Sequence, residues 1–367
     1  MTPPKAHIFV TECAQEAVLP VSIPNPFRGK GLPGQTLFPE SSAQAVSALL
    51  ALCPAHAETP LIDASVLARE VGVARLCIKD ERKRMGLGSF KALGAAYAIA
   101  HEADHTREGD DWAHALTGRT YVTASAGNHG LSVAAGARLF GAQAVIYLSD
   151  TVPEAFAKRL RDMDARVERA GANYEASMEA ALAAAETNNW TLLSDSSWPG
   201  YTELPYRVME GYLQLAAEIV AKIDSPPTHV LLQAGVGGLA AAVAAHARLA
   251  WGDAPVIIVV EPEAAPALFD SIRAGKLVET TGPVSSMGRL DCKTPSMIAL
   301  AGLARDADQF VTITEEEAAE GIATLAAHGL ITTPSGGAGL AALLAGIPGI
   351  GPNAHVIAIL SEGAEDA

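Results

Sequence analysis

One order of residues recurs along the chain and restricts its fold more than any other feature: a short run of β-branched apolar residues, then small or Gly-rich residues, then an Ala-rich stretch. Arg119 to Thr123 leads into Leu131 to Phe140, Ala144 to Leu148 into Glu154 to Met163, and His229 to Gln233 into Leu239 to Ala250. The apolar runs do not alternate with polar residues, so both faces of each strand should be covered. That pattern marks parallel sheet with helices as crossovers. Val256 to Val260 and His355 to Leu360 read as further strands of the same kind. Pro20 to Pro39 reads as an irregular arm, and Ser225-Pro226-Pro227-Thr228 as a connector between a helix and a strand. Ala180 to Ala185 is helix composition with no separate role.

Charge and cysteine usage remove several classes of function. A net charge of −15 and a pI near 5.1 disfavour nucleic acid and anionic membrane as partners, because either would be repelled by the surface as a whole. With 49% hydrophobic and 18% charged residues, the chain can bury one large core or two moderate ones. Cys13, Cys53, Cys77 and Cys292 show neither a CxxC pair nor metal-ligand spacing, so no disulfide framework or zinc site is expected. A reducing cytoplasm fits that usage. The opening residues lack a long apolar segment, and no stretch reads as a membrane span.

Three segments carry chemistry. Gly235, Val236, Gly237 and Gly238 lie between a strand and an Ala-rich helix, where backbone N–H groups and the positive end of the helix favour an anion such as phosphate. The same residues continue into Leu239-Ala240 and satisfy the dinucleotide fingerprint GxGxxA, with Glu261 placed as a ribose-binding acid would be. A tight turn without a ligand would also look like this. Lys91 follows Gly88-Ser89-Phe90 and opens the small-residue helix ALGAAYAIA. Burial there would lower its pKa and free its lone pair to attack an aldehyde cofactor; a lysine whose stem packs while its charge reaches water is the bland alternative. Ser125, Ala126, Gly127, Asn128 and His129 follow a strand and open another helix, offering N–H donors for a substrate carboxylate and an amide for a phenolate oxygen. An ordinary turn with a left-handed Asn is the alternative. Together, a reactive lysine, a carboxylate loop and a phosphate loop are what an amino-acid pyridoxal site needs.

The order GSFK, SAGNHG, GVGGL and the terminal Leu360-Ser361-Glu362-Gly363 resembles the fold-type-II pyridoxal-phosphate enzymes, the tryptophan-synthase-β and threonine-dehydratase group, over nearly the whole chain. Lys79 to Leu87, Asp195 to Thr202 and Thr228 to Gly237 look more particularly like diaminopropionate ammonia-lyase. The resemblance implies pyridoxal 5′-phosphate as cofactor and Lys91 as Schiff-base lysine and Cα base. It implies Asn128 on the phenolate oxygen, residues 235–238 on the phosphate, and Ser361 near the pyridine nitrogen, where a neutral hydroxyl favours elimination over transamination. The expected reaction is α,β-elimination on a small amino acid, first of all L-2,3-diaminopropionate, giving pyruvate and ammonia. Asp195, next to Trp198 and Tyr201, could select the second ammonium of that substrate; a turn-forming Asp is the alternative. A homodimer is expected, as is usual in the group.

Two positions depart from the pattern. Ala126 stands where diaminopropionate ammonia-lyases carry an aspartate thought to serve the D-isomer, so activity on the L-isomer alone is expected. Ala126 also keeps an L-serine, L-threonine or hydroxyaspartate-type dehydratase open as the alternative. Glu261 is present, but Ala267 stands where metal-activated members have a second acid, so no metal site is expected and Glu261 reads as a strand-end acid with local hydrogen bonds. Ser335 reads as a helix N-cap, with a cofactor-side residue as the alternative. The resulting expectation is an α/β chain with a large parallel-sheet domain from residues 1–112 and 195–367 and a smaller, mobile α/β domain inserted over 113–194, the cofactor lying between them. A nicotinamide-dependent dehydrogenase is the remote alternative, and it leaves Lys91 and the Asn128 loop unexplained.

Overall fold

The computed structural model describes residues 19–364, so Cys13 lies outside the described residues. The strands are β1 (Val21–Pro24), β2 (Leu61–Asp63), β3 (Arg75–Asp80), β4 (Thr120–Ala124), β5 (Gln143–Leu148), β6 (Arg166–Arg169), β7 (Thr191–Leu192), β8 (His229–Gln233), β9 (Val256–Pro262), β10 (Gln309–Ile313) and β11 (His355–Leu360). The helices are α1 (Gln44–Leu50), α2 (Ser65–Glu70), α3 (Lys91–Thr106), α4 (Asn128–Leu139), α5 (Glu154–Arg161), α6 (Tyr174–Asn188) and α7 (Glu203–Gly211), continuing with α8 (Leu213–Lys222), α9 (Gly238–Trp251), α10 (Ala267–Ala274), α11 (Met297–Asp306), α12 (Glu315–Ala327) and α13 (Pro334–Ala345).

Two sheets result. The larger has the order β1-β10-β9-β8-β11-β3-β2, parallel throughout its interior and antiparallel only where β1 and β2 join at the edges. The smaller, β6-β5-β4-β7, is wholly parallel and falls within residues 120–192. Central strands such as His229–Gln233 and His355–Leu360 are apolar along their length because helices cover both faces, and all but their first residues are buried. One apolar cluster runs continuously from β8 and β9 through α9, α7, α3 and α4 to β4 and β5, so the two sheets share a core rather than meeting across a solvent gap. A second cluster lies under α12 and α13 on the other face of the large sheet.

Three local expectations are corrected. The Pro20 to Pro39 arm is not wholly irregular: Val21–Pro24 pairs antiparallel with β10, a partner too distant in sequence to be seen from the arm. Helix α4 begins at Asn128, not at the first apolar residue Leu131, because extended Gly127 is its N-cap. Ser335 is not the cap of α13. Thr333 is, accepting from the Gly336 amide at 2.9 Å, while Ser335 lies inside the first turn and its hydroxyl accepts from the Arg289 amide at 3.1 Å. Among the described residues no helix is long and apolar enough to cross a membrane.

Candidate active site

The carboxyl ends of four parallel strands deliver the singled-out segments to one region. Strand β4 runs into Ser125 to Asn128, β7 into Asp195, β8 into Gly235 to Gly238, and β11 into Ser361. Open parallel sheets bind ligands at this edge, where strand ends and helix N-termini meet. Ser361 and the segment before Lys91 are stitched together: the Phe90 amide donates to the Ser361 carbonyl at 3.0 Å, and Ser89 forms a β-bridge with Glu362.

Lys91 is the first residue of α3, and its Nζ donates to Asp195 Oδ2. Both side chains are about a fifth exposed, at 22% and 20%. The Nζ lies 5.3 Å from the Phe90 ring centroid and 5.9 Å from that of Tyr212, and these two rings meet edge to face at 4.9 Å. Burial alone would lower the lysine pKa, but the Asp195 carboxylate outweighs it and raises the pKa above its ordinary value. The expectation that burial lowers the Lys91 pKa is thereby corrected: an unforeseen counter-ion wins. For Asp195, burial pushes upward, yet Lys91 holds the carboxyl well below the usual range. Tyr212 is pushed up to about 12, chiefly by burial, with the neighbouring Lys91 ammonium pulling the other way.

Asp195 is held from behind. The Tyr201 hydroxyl donates to the Leu192 carbonyl at 2.8 Å and accepts from the Ser194 amide at 3.0 Å, and the ring stacks on Trp198 at 4.4 Å. His129 pins the same segment, its Nε2 donating to the Leu193 carbonyl at 2.8 Å. Burial pushes the His129 pKa down, and Nδ1 is buried without a partner among the described residues, so the ring is a neutral acceptor.

The Ser125 to His129 loop is shaped by Ser125 itself, whose hydroxyl accepts from the amides of Gly127 at 3.3 Å and Gly130 at 3.1 Å. That leaves the Ser125 proton as the donor it can turn elsewhere. Gly130 cannot carry a side chain, since a Cβ would lie 2.9 Å from the Ser125 carbonyl oxygen. Asn128 does not adopt the left-handed turn; it is helical, and its Nδ2 donates to Glu362 Oε2 at 2.5 Å. Ala126 is exposed and offers no proton-accepting group.

Gly237 sits at φ 96° and caps α9 without any side-chain bond, leaving the first-turn amides of a fourteen-residue helix directed at the cleft. Gly235 packs under the segment from Arg289 to Cys292, where a Cβ would meet the Arg289 carbonyl oxygen and Cys292 Sγ, each at 3.0 Å. Burial pushes the Cys292 thiol up to about 12. Sequence reasoning missed Tyr212, Arg289 and Cys292, which lie in segments without a local motif, and gave no role to Glu362 although it stands next to Ser361 in the terminal motif.

Glu261 has a structural task. Its carboxylate accepts from the amides of Leu268 at 2.8 Å and Phe269 at 2.7 Å, so it caps the start of α10. Burial pushes its carboxyl up, to about 8, against the pull of those two amides. Both oxygens are thus engaged away from the Gly235 loop, which removes the ribose contact that the dinucleotide alternative requires.

Comparison with known proteins agrees with this arrangement. The sequence pattern of the pyridoxal-phosphate dependent enzymes matches residues 52–362. The chain belongs to that family. Diaminopropionate ammonia-lyase of Escherichia coli K12 is 32% identical over 337 residues, covering 87% of this chain and 84% of that protein. The human L-serine dehydratase/L-threonine deaminase is 28% identical, covering 79% of this chain and 83% of that protein. A crystal structure of the Escherichia coli diaminopropionate ammonia-lyase, in complex with an aminoacrylate-PLP azomethine reaction intermediate, superposes with a TM-score of 0.84 at 30% identity, covering 94% of each chain. The protein is therefore a fold-type-II enzyme that uses pyridoxal phosphate and acts as a carbon–nitrogen lyase on a small amino acid. The residues present fit the cofactor: a helix N-terminus without a side-chain cap for its phosphate, a lysine amine for its aldehyde, and the buried His129 Nδ1, which has no partner among the described residues.

Proposed function

We propose that the enzyme is an L-2,3-diaminopropionate ammonia-lyase, converting its substrate to pyruvate and ammonia. The observation that carries this reading is the ion pair of Lys91 with Asp195. To take the Cα proton Lys91 Nζ must be uncharged, and Asp195 is then an ionised carboxylate without its cation. A second ammonium on the substrate fills that place.

Bound pyridoxal phosphate supplies an electron sink that acidifies the substrate Cα–H. The loop of residues 235–238 that leads into α9 would hold its phosphate, Asn128 would donate to its phenolate oxygen, and the neutral Ser361 hydroxyl would serve its pyridine nitrogen. The loop of Ser125, Ala126, Gly127, Asn128 and His129 receives the substrate carboxylate. Lys91 Nζ takes the Cα proton. Asp195 and the neutral His129 present acceptors, not proton donors, to the leaving group. An ammonium needs no donor, because the Cβ–N bond breaks with its electron pair passing to nitrogen and ammonia departs. A hydroxyl leaving group would need a proton that an ionised Asp195 cannot give.

Ala126 supports a restriction to the L-isomer, since no acid stands there to take a proton from the opposite face. It also supports the second reading, an L-serine or L-threonine dehydratase, as do the relatives that act on those amino acids. Pyruvate or oxobutyrate formation from each amino acid separates the two. We extend the proposal to a mobile unit over 113–194, supported by a complete four-stranded sheet of its own. A homodimer follows the family resemblance, and a cytoplasmic setting is supported by Cys53, Cys77 and Cys292, which are free thiols.

A further inference from the structure

The buried carboxylate of Glu362 has no part in the reaction derived above, yet it ties the Asn128 loop to Arg289 and to the start of α13. Oε2 accepts from Asn128 Nδ2 at 2.5 Å and lies 3.2 Å from Arg289 Nε; Oε1 accepts from the Thr333 hydroxyl; the main-chain carbonyl accepts from the Thr332 hydroxyl at 2.6 Å. Thr333 caps α13, so the anion also lies at a helix N-terminus that favours negative charge. The Glu362 side chain is 4% exposed. Room for it comes from Gly336, where a Cβ would approach Glu362 Cγ to 2.8 Å. The β-bridge to Ser89 places its backbone next to the segment that carries Lys91. Arg289, at the same time, has its Nε 3.5 Å from where a Cβ on Gly127 would lie, so it spans from Glu362 to the Asn128 loop.

Two consequences follow from this geometry. An asparagine amide can sit either way round, and only one orientation turns a donor toward a phenolate oxygen. A carboxylate accepting from one Nδ2 hydrogen fixes the nitrogen end and leaves the second hydrogen for the cofactor. Asp195 is the carboxylate in direct contact with Lys91, and Glu362 acts instead through Asn128: an anion on the amide weakens its donation to the phenolate oxygen, so that oxygen helps hold a proton on the linkage nitrogen, whereas the Arg289 cation beside Glu362 offsets the effect. From these contacts we infer that Glu362 is a positioning residue, which sets the orientation of the Asn128 amide and, in balance with Arg289, the acidity of the Lys91–cofactor linkage. This rests on the proposed roles of Lys91 and Asn128. It assigns Glu362 no contact with substrate.

The test is a spectrophotometric pH titration of the cofactor-loaded protein, reading the band of the protonated linkage in wild type, Glu362→Gln and Arg289→Met. Glutamine keeps the shape and an acceptor for Asn128 but loses the charge. The midpoint should fall by about one pH unit or more in Glu362→Gln and rise in Arg289→Met, as expected when a charge one hydrogen bond away from the group on the phenolate oxygen is removed or left unopposed. Where the wild-type midpoint lies above the accessible range, Glu362→Gln must bring it into range. Where it lies below, Arg289→Met must do so. Unmoved midpoints, or shifts of the same sign in both variants, overturn the inference, since a merely structural role has no reason to produce opposite signs. Arg289 is 30% exposed, so its variant remains an independent arm should Glu362→Gln not fold. A wild-type protein with no such band, or a band that persists in Lys91→Ala, would instead overturn the underlying assignment of Lys91.

Discussion

Replacing Asp195 by Asn keeps the shape of the side chain and removes the charge that the substrate's second ammonium is proposed to meet. A hydrogen bond to a charged partner contributes about 1.5–3 kcal/mol, and about 1.4 kcal/mol corresponds to a tenfold change in rate. The expected loss in kcat/KM for L-2,3-diaminopropionate is therefore about 10- to 150-fold. L-Serine has no second ammonium, so its kcat/KM should change far less and the preference for diaminopropionate should collapse by the same factor. Pyruvate release, coupled to NADH oxidation by lactate dehydrogenase, reads both substrates in one assay. The supporting contacts from Tyr201 and His129 reach the neighbouring backbone rather than the carboxylate, so Asn should occupy the same place. Equal losses with both amino acids, or none with either, would refute the assignment of Asp195 to the second ammonium.

Other expectations follow from the same geometry. Because Asp195 holds Lys91 as an ammonium, capture of added pyridoxal phosphate by cofactor-free protein should accelerate as pH rises, and in Asp195→Asn the inflection should move to lower pH; stopped-flow absorbance reads both. Gly237→Ala must hold an alanine at φ 96° with Cβ 3.1 Å from Ala299 Cβ and Leu268 Cδ1, so it should lose about 1–2 kcal/mol of stability in urea titration and bind the cofactor more weakly. Glu218 receives Lys79 Nζ at 2.5 Å and Arg84 Nη2 at 2.7 Å in a buried network with Glu81, which holds its carboxyl down to about 2 from an ordinary 4.5. Its folded pKa is depressed, so its contribution of about 3 kcal/mol is fully present above pH 4.5 and lost as pH falls through about 2. Glu218→Gln should be less stable at neutral pH by about that amount and should show a shallower acid limb in denaturation curves.

The parallel sheet was legible because its central strands carry their own signal. His229–Gln233 and His355–Leu360 stand in the structure at the predicted bounds, and the Gly235 turn between β8 and α9 follows from its glycines. Lys91 could be placed at a helix start for the same local reason. Contacts between distant segments left no such mark. The pairing of β1 with β10 joins Val21 to Thr312, and the Glu362 contacts bring Asn128, Arg289 and Thr333 together from three distant segments. Lys79, Glu81 and Arg84 are visible as a charged run, which on composition alone belongs at a surface; only the arrival of Glu218 makes their burial tolerable. Asp195 was legible as a candidate, but its effect on the Lys91 pKa was not, because their contact spans two sheets.

The central claim is that Lys91 holds pyridoxal phosphate covalently in this cleft. The direct measurement is the absorption spectrum of the purified protein with added pyridoxal phosphate, before and after borohydride, followed by peptide mass analysis, with Lys91→Ala in parallel. The account predicts a band near the visible edge that borohydride abolishes, a reduced adduct mapped to Lys91, and neither in the mutant. A protein that stays colourless with the cofactor, or an adduct on a different lysine, would contradict it.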